Sequence, residues 1–262
     1  ILLINPGRRD YIVNFFLSLK KKYNLTIFLI DPDKNIPAFQ VSSLTKNYVC
    51  PKVKDSKKFF SYLQNFIKKN KINIIFPISD RELKILASKK LFLLKKRVNV
   101  VVSNLEVIKN CQNKIKCSNF LKKFNILFPK IISKKNIKGN LPVIKKEING
   151  SGSKNQEIIV KLDQISKNYN KKFFFQKFLN YEEYNLDILN DLKGNYLHSC
   201  AKKKISIRSG DTDKAEIVKN KIFKTFAEKI SKTLRHHGVI DVDFLYNKKK
   251  FYLLDINPRL GG

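Results

Sequence analysis

Two alternating segments near the end of the chain restrict its fold more than any other feature. In residues 239–246 and 251–258, apolar and polar side chains alternate, which predicts two β-strands. The residues between them, 247–250, are Asn-Lys-Lys-Lys, which is short enough to join the strands in a hairpin. Such a hairpin buries one face and exposes the other, so a further layer of structure must cover its apolar side.

The register of this hairpin decides which polar residues meet. If the turn is centred on residue 249, Asp243 faces Asp255 and Asp241 faces Asn257. Because side chains alternate along a strand, these four residues share one face. A slip of one residue would separate them. The opposite face is predicted to enter the core through Ile240, Val242, Phe244, Leu254 and Ile256.

The acidic face of the hairpin predicts a metal site. Directly opposed carboxylates repel each other, and a bound cation would neutralise them. Oxygen ligands from Asp243, Asp255 and Asn257 suit Mg²⁺, with Mn²⁺ as the alternative. Arg259 continues the same alternation, so it would reach a phosphate bound to the metal. The alternative interpretation is a solvated face that happens to be acidic.

The first hundred residues predict a different architecture. Strand and helix signals alternate, which favours a parallel sheet covered by helices. We place the boundary of this α/β domain at residues 1–111, with an α+β domain at 112–262. The predicted strands are residues 1–5, 25–31, 73–77 and 98–102. The predicted helices of this part are residues 10–22, 56–69 and 80–88. Further along the chain, helices are predicted for most of 105–123 and for 217–236.

A Gly/Ser loop follows an apolar segment in residues 142–153. Glycines allow backbone N–H groups to approach phosphate oxygens closely, and serine hydroxyls add donors. The loop is not a Walker A motif, because Gly-Lys-Ser/Thr is absent. A plain hairpin turn is the alternative interpretation.

Composition and charge bound the remaining possibilities. The formal net charge is +33, which alone would favour a nucleic-acid ligand. However, the lysines are spread along the chain and arginine is scarce, whereas nucleic-acid interfaces cluster their basic side chains, so we expect no nucleic-acid partner. No apolar run reaches the length of a membrane span, and we expect neither a signal peptide nor a membrane partner. The four cysteines show no metal-binding or disulfide spacing, and we expect a cytoplasmic protein.

The ordered set of glycine loop, hinge segment and terminal Asp-Ile-Asn-Pro-Arg resembles the ATP-grasp superfamily. More closely, the chain looks like stand-alone proteins related to the carbamoyl-phosphate synthase large chain. Residues 4–9, Ile-Asn-Pro-Gly-Arg-Arg, resemble the opening of that group's pre-ATP-grasp domain. The resemblance implies a parallel, Rossmann-like α/β domain followed by a two-subdomain ATP-grasp fold. It places a small subdomain at about residues 125–180 and a remainder that is incomplete, because the chain ends sooner than its relatives.

The resemblance assigns an ATP site residue by residue. Lys114 and Lys146 match lysines that contact phosphate, and Glu183 matches the residue that binds the ribose hydroxyls. The phosphate loop corresponds to Gly150, Ser151, Gly152 and Ser153. The hinge beside adenine corresponds to Gln176, Lys177, Phe178 and Leu179, with the backbone of Lys177 and Leu179 as the contacts.

The resemblance also implies the residues of the reaction centre. Arg208 lies in a segment similar to the loop near the transferred phosphoryl group, and Arg259 matches the phosphate-binding arginine. Asp243, Asp255 and Asn257 match the metal ligands that the hairpin register selects independently. Two positions depart from the family pattern: Lys177 replaces a common Glu, and Asp255 is a shortened version of the usual Glu.

The implied activity is ATP- and Mg²⁺-dependent ligation of a carboxylate to an amine through an acyl phosphate. Its partners would be a small-molecule carboxylate and a small-molecule amine, and a homodimer is left open. Three alternatives remain: an ATP-binding protein of this fold without ligase activity, a kinase-like phosphoryl transferase, and a basic nucleic-acid-binding protein.

Overall fold

A computed structural model describes residues 1–150, 155–165, 171–208 and 211–261. Ser151, Gly152 and Ser153 of the predicted phosphate loop lie outside these residues. The chain forms two compact units. The first unit comprises Ile1–Ile108, His236–Gly238 and Pro258–Leu260, and the second comprises Lys109–Arg235, Val239–Asn257 and Gly261–Gly262.

A five-stranded parallel sheet forms the centre of the first unit, with strand order β3-β2-β1-β4-β5. Its strands are β1 (Leu2–Ile4), β2 (Phe28–Asp31), β3 (Lys46–Val49), β4 (Ile74–Pro77) and β5 (Asn99–Val100). Its helices are α1 (Asp10–Ser18), α2 (Lys20–Tyr23), α3 (Ser56–Asn70) and α4 (Asp80–Lys95), and α5 (Leu105–Cys111) follows. The predicted parallel α/β architecture is therefore confirmed.

The apolar character of β1 explains its central position. Leu2, Leu3 and Ile4 are all fully buried, as expected for a parallel strand that is covered on both faces. Helices α3 and α4 pack on one side of the sheet through residues such as Phe59 and Leu83. Helix α1 packs on the other side through Ile12 and Phe16, so helices cover both faces of the sheet.

Glu82 connects the start of α4 to the end of β1. Its carboxylate is fully buried and accepts hydrogen bonds from the backbone N–H groups of Ile78 (3.0 Å) and Ser79 (2.8 Å). Its other oxygen accepts one from the side-chain Nδ2 of Asn5 at 2.7 Å. Burial raises the pKa of Glu82 to about 7, and these hydrogen bonds offset only part of that effect.

We expect the stability of the first unit to depend on the ionisation of Glu82. Because its folded-state pKa lies above its unfolded value, its contribution is fully present below the unfolded pKa and is lost as the pH rises through about 7. The free energy of unfolding should fall by up to about 3 kcal/mol from this group across that range. Urea unfolding of the wild type and of Glu82→Gln, between about pH 4 and about pH 8.5, measures the effect. Parallel pH profiles for the two proteins would contradict it.

Two sheets form the second unit. The larger has strand order β12-β11-β10-β13-β14, and the smaller has order β6-β9-β7-β8 with all described pairs antiparallel. The larger sheet consists of β10 (Glu182–Asn190), β11 (Tyr196–Arg208), β12 (Asp211–Val218), β13 (Gly238–Tyr246) and β14 (Phe251–Asn257). The smaller consists of β6 (Ile131–Ile132), β7 (Val143–Glu147), β8 (Glu157–Ile159) and β9 (Phe173–Lys177). The helices are α6 (Lys114–Lys122) and α7 (Lys221–Leu234).

The terminal hairpin has the predicted register at its acidic end. Asp243 pairs with Asp255, and Asp241 pairs with Asn257. The prediction is wrong nearer the turn, where a bulge follows Asp243 and brings Phe244 opposite Leu253. The core residue there is therefore Leu253, which is fully buried, rather than the predicted Leu254.

Two predicted helix boundaries are also wrong. The segment at 217–236 begins as strand, and α7 begins only at Lys221, where the Asn220 side chain caps it by accepting from the N–H of Ile222 at 3.0 Å. The segment at 105–123 is mostly helical, as predicted, and it divides into α5 and α6 because Asn113 caps the second helix. The helix predicted at 80–88 continues to Lys95.

An aromatic layer joins α7 to the larger sheet. Phe226 of α7 stacks on Phe251 with ring centroids 4.3 Å apart, and Phe223 packs against Tyr184 and Phe244. These contacts bury the apolar face of β10, β13 and β14, and such packing holds the backbone of these strands firmly. The opposite face of the same strands carries the polar residues of the candidate site.

Among the described residues, no helix is both long and apolar enough to cross a membrane.

Candidate functional site

Along β10, buried side chains alternate with polar ones, and the polar ones form part of the candidate site. Tyr184, Leu186 and Ile188 are buried in the aromatic layer, so the residues between them point to the other face. Asn185 and Asp187 are these intervening residues, and Glu183, just before Tyr184, continues the same row; all three are polar. Strand β13 lies next to β10 in the sheet, so this polar row adjoins the acidic end of the hairpin.

Lysine side chains form ion pairs with the two opposed aspartates, Asp243 and Asp255. Lys114 Nζ lies 2.5 Å from Asp255 Oδ2. Lys204 Nζ lies 2.7 Å from Asp243 Oδ1 and 2.6 Å from Glu183 Oε1. Both lysine side chains are largely buried, at 10% and 8% exposure, so these pairs are shielded from water. The cationic charge that the hairpin requires is therefore supplied here by ammonium groups.

Ionisation of these groups reflects their burial. Burial raises the pKa of Asp255, and Lys114 offsets part of that shift. Burial alone would lower the pKa of Lys204, but the carboxylates of Asp243 and Glu183 outweigh it and raise the pKa.

Hydrogen bonds hold the third predicted ligand in place. Asn257 Nδ2 donates to Asp241 Oδ2 at 3.1 Å, which turns its Oδ1 the other way. Asn185 Nδ2 donates to Asp241 as well and lies 3.2 Å from Asp243 Oδ1. Asp241, which is buried, therefore orients the residues around it.

Lys146 extends the site onto the smaller sheet. It lies on β7, its side chain is buried, and burial lowers its pKa to about 8. The carboxylates of Asp255, Glu183 and Asp243 act in the opposite direction, and Lys114 adds to the lowering. The neighbouring residue, Lys145, points the other way and pairs with Glu157 at 2.5 Å. The site thus holds a desolvated cation that an anionic ligand would stabilise.

The start of the predicted phosphate loop is attached to this cluster. Lys114 Nζ donates to the carbonyl oxygen of Gly150 at 2.8 Å, and the Lys114 backbone N–H donates to Ile148 at 2.9 Å. A Cβ at Gly150 would lie 2.7 Å from Glu147 Cβ, so a side chain does not fit there without a shift.

The predicted hinge lies at the end of β9. Gln176 is buried and its Nε2 donates to the Pro129 carbonyl at 3.0 Å. The backbone N–H of Lys177 donates to Lys130 at 2.8 Å, and that of Phe178 donates to Pro142 at 3.2 Å. An adenine contact at Lys177 would accordingly use its carbonyl oxygen. Leu179 follows β9 directly.

The two predicted catalytic arginines have different surroundings. Arg208 is the last residue of β11 and is exposed. Arg259 belongs to the first unit, where its Nε lies 3.1 Å from Asp80 Oδ2 and its Nη1 donates to the Leu260 carbonyl at 2.7 Å. Arg208 thus belongs to the same unit as the lysine–carboxylate cluster, whereas Arg259 belongs to the other unit.

The chemistry of the donor set fits a divalent cation. In the described part of the chain, no cluster of three or more His, Cys, Asp or Glu side chains is arranged to hold a metal. The predicted set instead combines two carboxylates and one amide oxygen, from Asp243, Asp255 and Asn257. Sets of this size suit Mg²⁺, which keeps several water or phosphate ligands. The ammonium groups of Lys114 and Lys204 already contact the carboxylates of Asp255 and Asp243, so these two side chains accept a cation at this place.

Sequence reasoning did not identify Lys204 or the buried roles of Asn185 and Asp241. The alternation of polar residues along β10 was the available signal, since a polar row opposite a buried row marks one functional face. The polar row leads to Lys204 only when the pairing of β10 with β11 is known, because the register of these two strands brings residues 183 and 204 together.

We expect Lys204→Met to lower the free energy of unfolding, and we expect Mg²⁺ with nucleotide to restore part of that loss. Without the ammonium group, Glu183 and Asp243 repel each other while partly shielded from water, at a cost of about 2 kcal/mol. Urea unfolding with and without MgADP measures this. The matched control is Lys203→Met, since that neighbouring lysine pairs with the more exposed Glu182. Equal effects of the two substitutions would contradict the prediction.

Comparison with known proteins gives two family matches. Residues 111–262 match the model of the ATP-grasp domain, and residues 1–101 match that of the PylC-like N-terminal domain. A curated relative, carbamoyl-phosphate synthase from Methanobrevibacter smithii, is 21% identical over 259 residues, covering 88% of this chain and 67% of that protein.

Solved structures share the fold at low identity. The biotin carboxylase domain of a 2-oxoglutarate carboxylase from Hydrogenobacter thermophilus, in complex with MgADP, ADP and bicarbonate, is 11% identical with a TM-score of 0.74. An L-amino acid ligase from Bacillus licheniformis is 16% identical with a TM-score of 0.71. These matches cover 99% and 100% of this chain, but the chain spans only 64% and 67% of theirs.

Proposed function

The chain belongs to the ATP-grasp family, which uses ATP with a divalent metal, and from this premise we propose that it is an ATP- and Mg²⁺-dependent carboxylate–amine ligase. One observation carries the proposal. Lys114 and Lys146 converge with Asp243 and Asp255 on one side of the second unit, at the start of a Gly/Ser loop. Cations and carboxylates at such close range suit a ligand that is both anionic and metal-bound.

The lysines have the role of holding the ATP phosphates. Lys146 is desolvated, so its ammonium group gains most from an anionic partner. Lys114 would exchange its contact with Asp255 for a phosphate oxygen when a metal neutralises that carboxylate. Backbone N–H groups of residues 150–153 would supply further donors.

The metal ligands would be Asp243, Asp255 and Asn257, and Mn²⁺ would serve in place of Mg²⁺. When bound, the metal supplies Lewis-acid stabilisation of the phosphate oxygens. Asp241 keeps the Asn257 amide oriented so that its oxygen remains available as a ligand.

The nucleoside would bind at the hinge. The carbonyl of Lys177 and the N–H of Leu179 would pair with the adenine edge, between the side chains of Gln176 and Phe178. Glu183 would accept from the ribose hydroxyls after release from Lys204. Arg208 and Arg259 enter the proposal from the family resemblance alone, as phosphate-binding cations.

In the reaction, a carboxylate oxygen of the substrate attacks the γ-phosphorus of ATP, and the bond to the ADP oxygen breaks. The acyl phosphate that results is attacked by an amine, which forms the amide, loses a proton and releases inorganic phosphate. Positioning and charge neutralisation accomplish the first step, so no protein nucleophile is needed. The residues that neutralise the transferred group are cationic side chains rather than acid–base catalysts.

The proposed domains remain residues 1–111 and 112–262, with a small subdomain at about 125–180. The partners are a small-molecule carboxylate and a small-molecule amine.

Oxygen transfer tests the proposal. We would incubate the protein with MgATP, ¹⁸O-labelled carboxylates and an amine, and measure ADP, product and label in phosphate. A ligase moves one ¹⁸O atom from the carboxylate to inorganic phosphate and needs both substrates. A phosphorylated product that accumulates without an amine identifies a kinase-like transferase. Tight MgATP binding with no turnover for any pair identifies a nucleotide-binding protein without ligase activity.

A further inference from the structure

A cleft lined by charged side chains lies wholly within the first unit. It has a volume of about 850 Å³ and opens at the carboxyl ends of the parallel strands, where Asn5 follows β1 and Asp31 ends β2. Arg81, just after the end of β4, forms another part of its wall. From β1 the strands are added towards one edge of the sheet as far as β3, and from β4 they are added towards the other edge. Crevices at such switch points of parallel sheets are common ligand sites.

The cleft carries both signs of charge, with cations in excess. Its carboxylates are Asp31 and Asp33, and its cations are Lys34, Lys52, Lys54 and Arg81. A ligand complementary to this lining has one cationic group and more than one anionic group.

Asp31 is the carboxylate at the base of the cleft. It is buried, and it accepts backbone hydrogen bonds from Gly7 at 3.3 Å and Asp33 at 3.0 Å. Burial nevertheless raises its pKa, and Arg81 lowers it only in part. A cationic donor in the cleft would stabilise this desolvated carboxylate.

Asn5 supplies an acceptor on the same wall. Its side chain is only 5% exposed, and its Nδ2 donates to the buried Glu82 carboxylate at 2.7 Å, so the amide orientation is fixed. Its Oδ1 finds no hydrogen-bond donor in the part of the chain that the structure describes. A buried amide oxygen of this kind costs free energy until a donor reaches it.

We propose that this cleft binds an acidic α-amino acid, with its ammonium group between Asp31 and Asn5 and its carboxylates toward Arg81 and the lysines. A simple dicarboxylate would bring no cationic donor to Asp31 and no donor to the Asn5 oxygen. A basic amino acid would bring too much positive charge to a lining that is already cationic. The proposal does not depend on ligase activity, because every residue that carries it belongs to the first unit.

Calorimetric titration of the full chain without ATP tests the proposal, with L-aspartate and L-glutamate as probes and succinate, glutarate and L-lysine as comparisons. We expect at least one acidic amino acid to bind, and the matching dicarboxylate to bind at least about tenfold more weakly because it lacks the ammonium group. Absence of binding for both acidic amino acids up to about 10 mM would overturn the proposal. Equal binding of the dicarboxylate or of L-lysine would also overturn it.

Two substitutions locate the site. Arg81→Gln should weaken binding about tenfold or more, since it removes a charge-assisted contact from an exposed position. Arg97→Gln is the matched control, because that arginine is also exposed in the first unit but lies outside the cleft. Binding that survives unchanged in Arg81→Gln, or is lost in both variants, would place the ligand elsewhere.

Glu82→Gln tests the orientation of Asn5 independently. The new amide would face Asn5 Nδ2 with a donor, so the Asn5 amide should turn over and present N–H to the cleft instead of oxygen. We expect weaker binding of the acidic amino acid, with binding of ATP unchanged. An unchanged affinity for the amino acid would contradict the role given to Asn5.

Discussion

Lys146→Met should lower the affinity for MgATP by about 10- to 100-fold, because a charge-assisted contact to phosphate is lost. The apo protein should keep or gain thermal stability. The ammonium group of Lys146 is buried, and its lowered pKa shows that the surrounding carboxylates do not fully compensate its desolvation. Methionine fills a similar volume without that cost. Calorimetric titration with MgATP and thermal unfolding of the apo protein measure the two effects.

Lys145→Met is the matched control for this prediction. It changes the adjacent residue of the same strand, whose side chain pairs with Glu157 rather than with the site. Its affinity for MgATP should remain close to that of the wild type. A similar loss of affinity in both variants would indicate a general effect on the smaller sheet and would contradict a specific role for Lys146.

Asp255→Asn should remove most of the divalent-cation binding of the nucleotide complex. The carboxylate at this position faces Asp243 across the hairpin, and an amide carries no charge to attract the metal. We expect the affinity for Mn²⁺, measured by electron paramagnetic resonance in the presence of ADP, to fall by more than about tenfold. ADP alone should still bind through Lys146.

Glu157→Gln is the corresponding control. Its carboxylate pairs with a lysine at the same 2.5 Å distance as Asp255, but it lies outside the proposed metal site. Retention of Mn²⁺ affinity in Asp255→Asn, or an equal loss in Glu157→Gln, would contradict the assignment of the metal ligands.

The architecture was predictable where local patterns decide it. The short apolar strands of the first unit were predicted to be parallel because they alternate with helices. The acidic end of the terminal hairpin was predictable because side chains alternate along each strand, which puts Asp243, Asp255 and Asn257 on one face. The bulge after Asp243 was not predictable, since both Leu253 and Leu254 are apolar and the choice between them depends on packing against neighbouring elements.

Contacts between residues distant in sequence account for most of what sequence reasoning missed. Lys204 lies beside Glu183 because β10 and β11 pair in one particular register. The bond between Asn5 and Glu82 joins residues 77 positions apart. In a chain with so many lysines and asparagines, composition gives no reason to select these particular ones.

Titration of the wild-type protein with ATP, in the presence and absence of Mg²⁺, tests the central claim most directly. Our account predicts calorimetric saturation near one ATP per chain, with an affinity that rises by about tenfold or more when Mg²⁺ is present. Failure to bind ATP under both conditions, or an affinity that Mg²⁺ leaves unchanged, would contradict a metal-assisted ATP site built from Lys114, Lys146, Asp243 and Asp255.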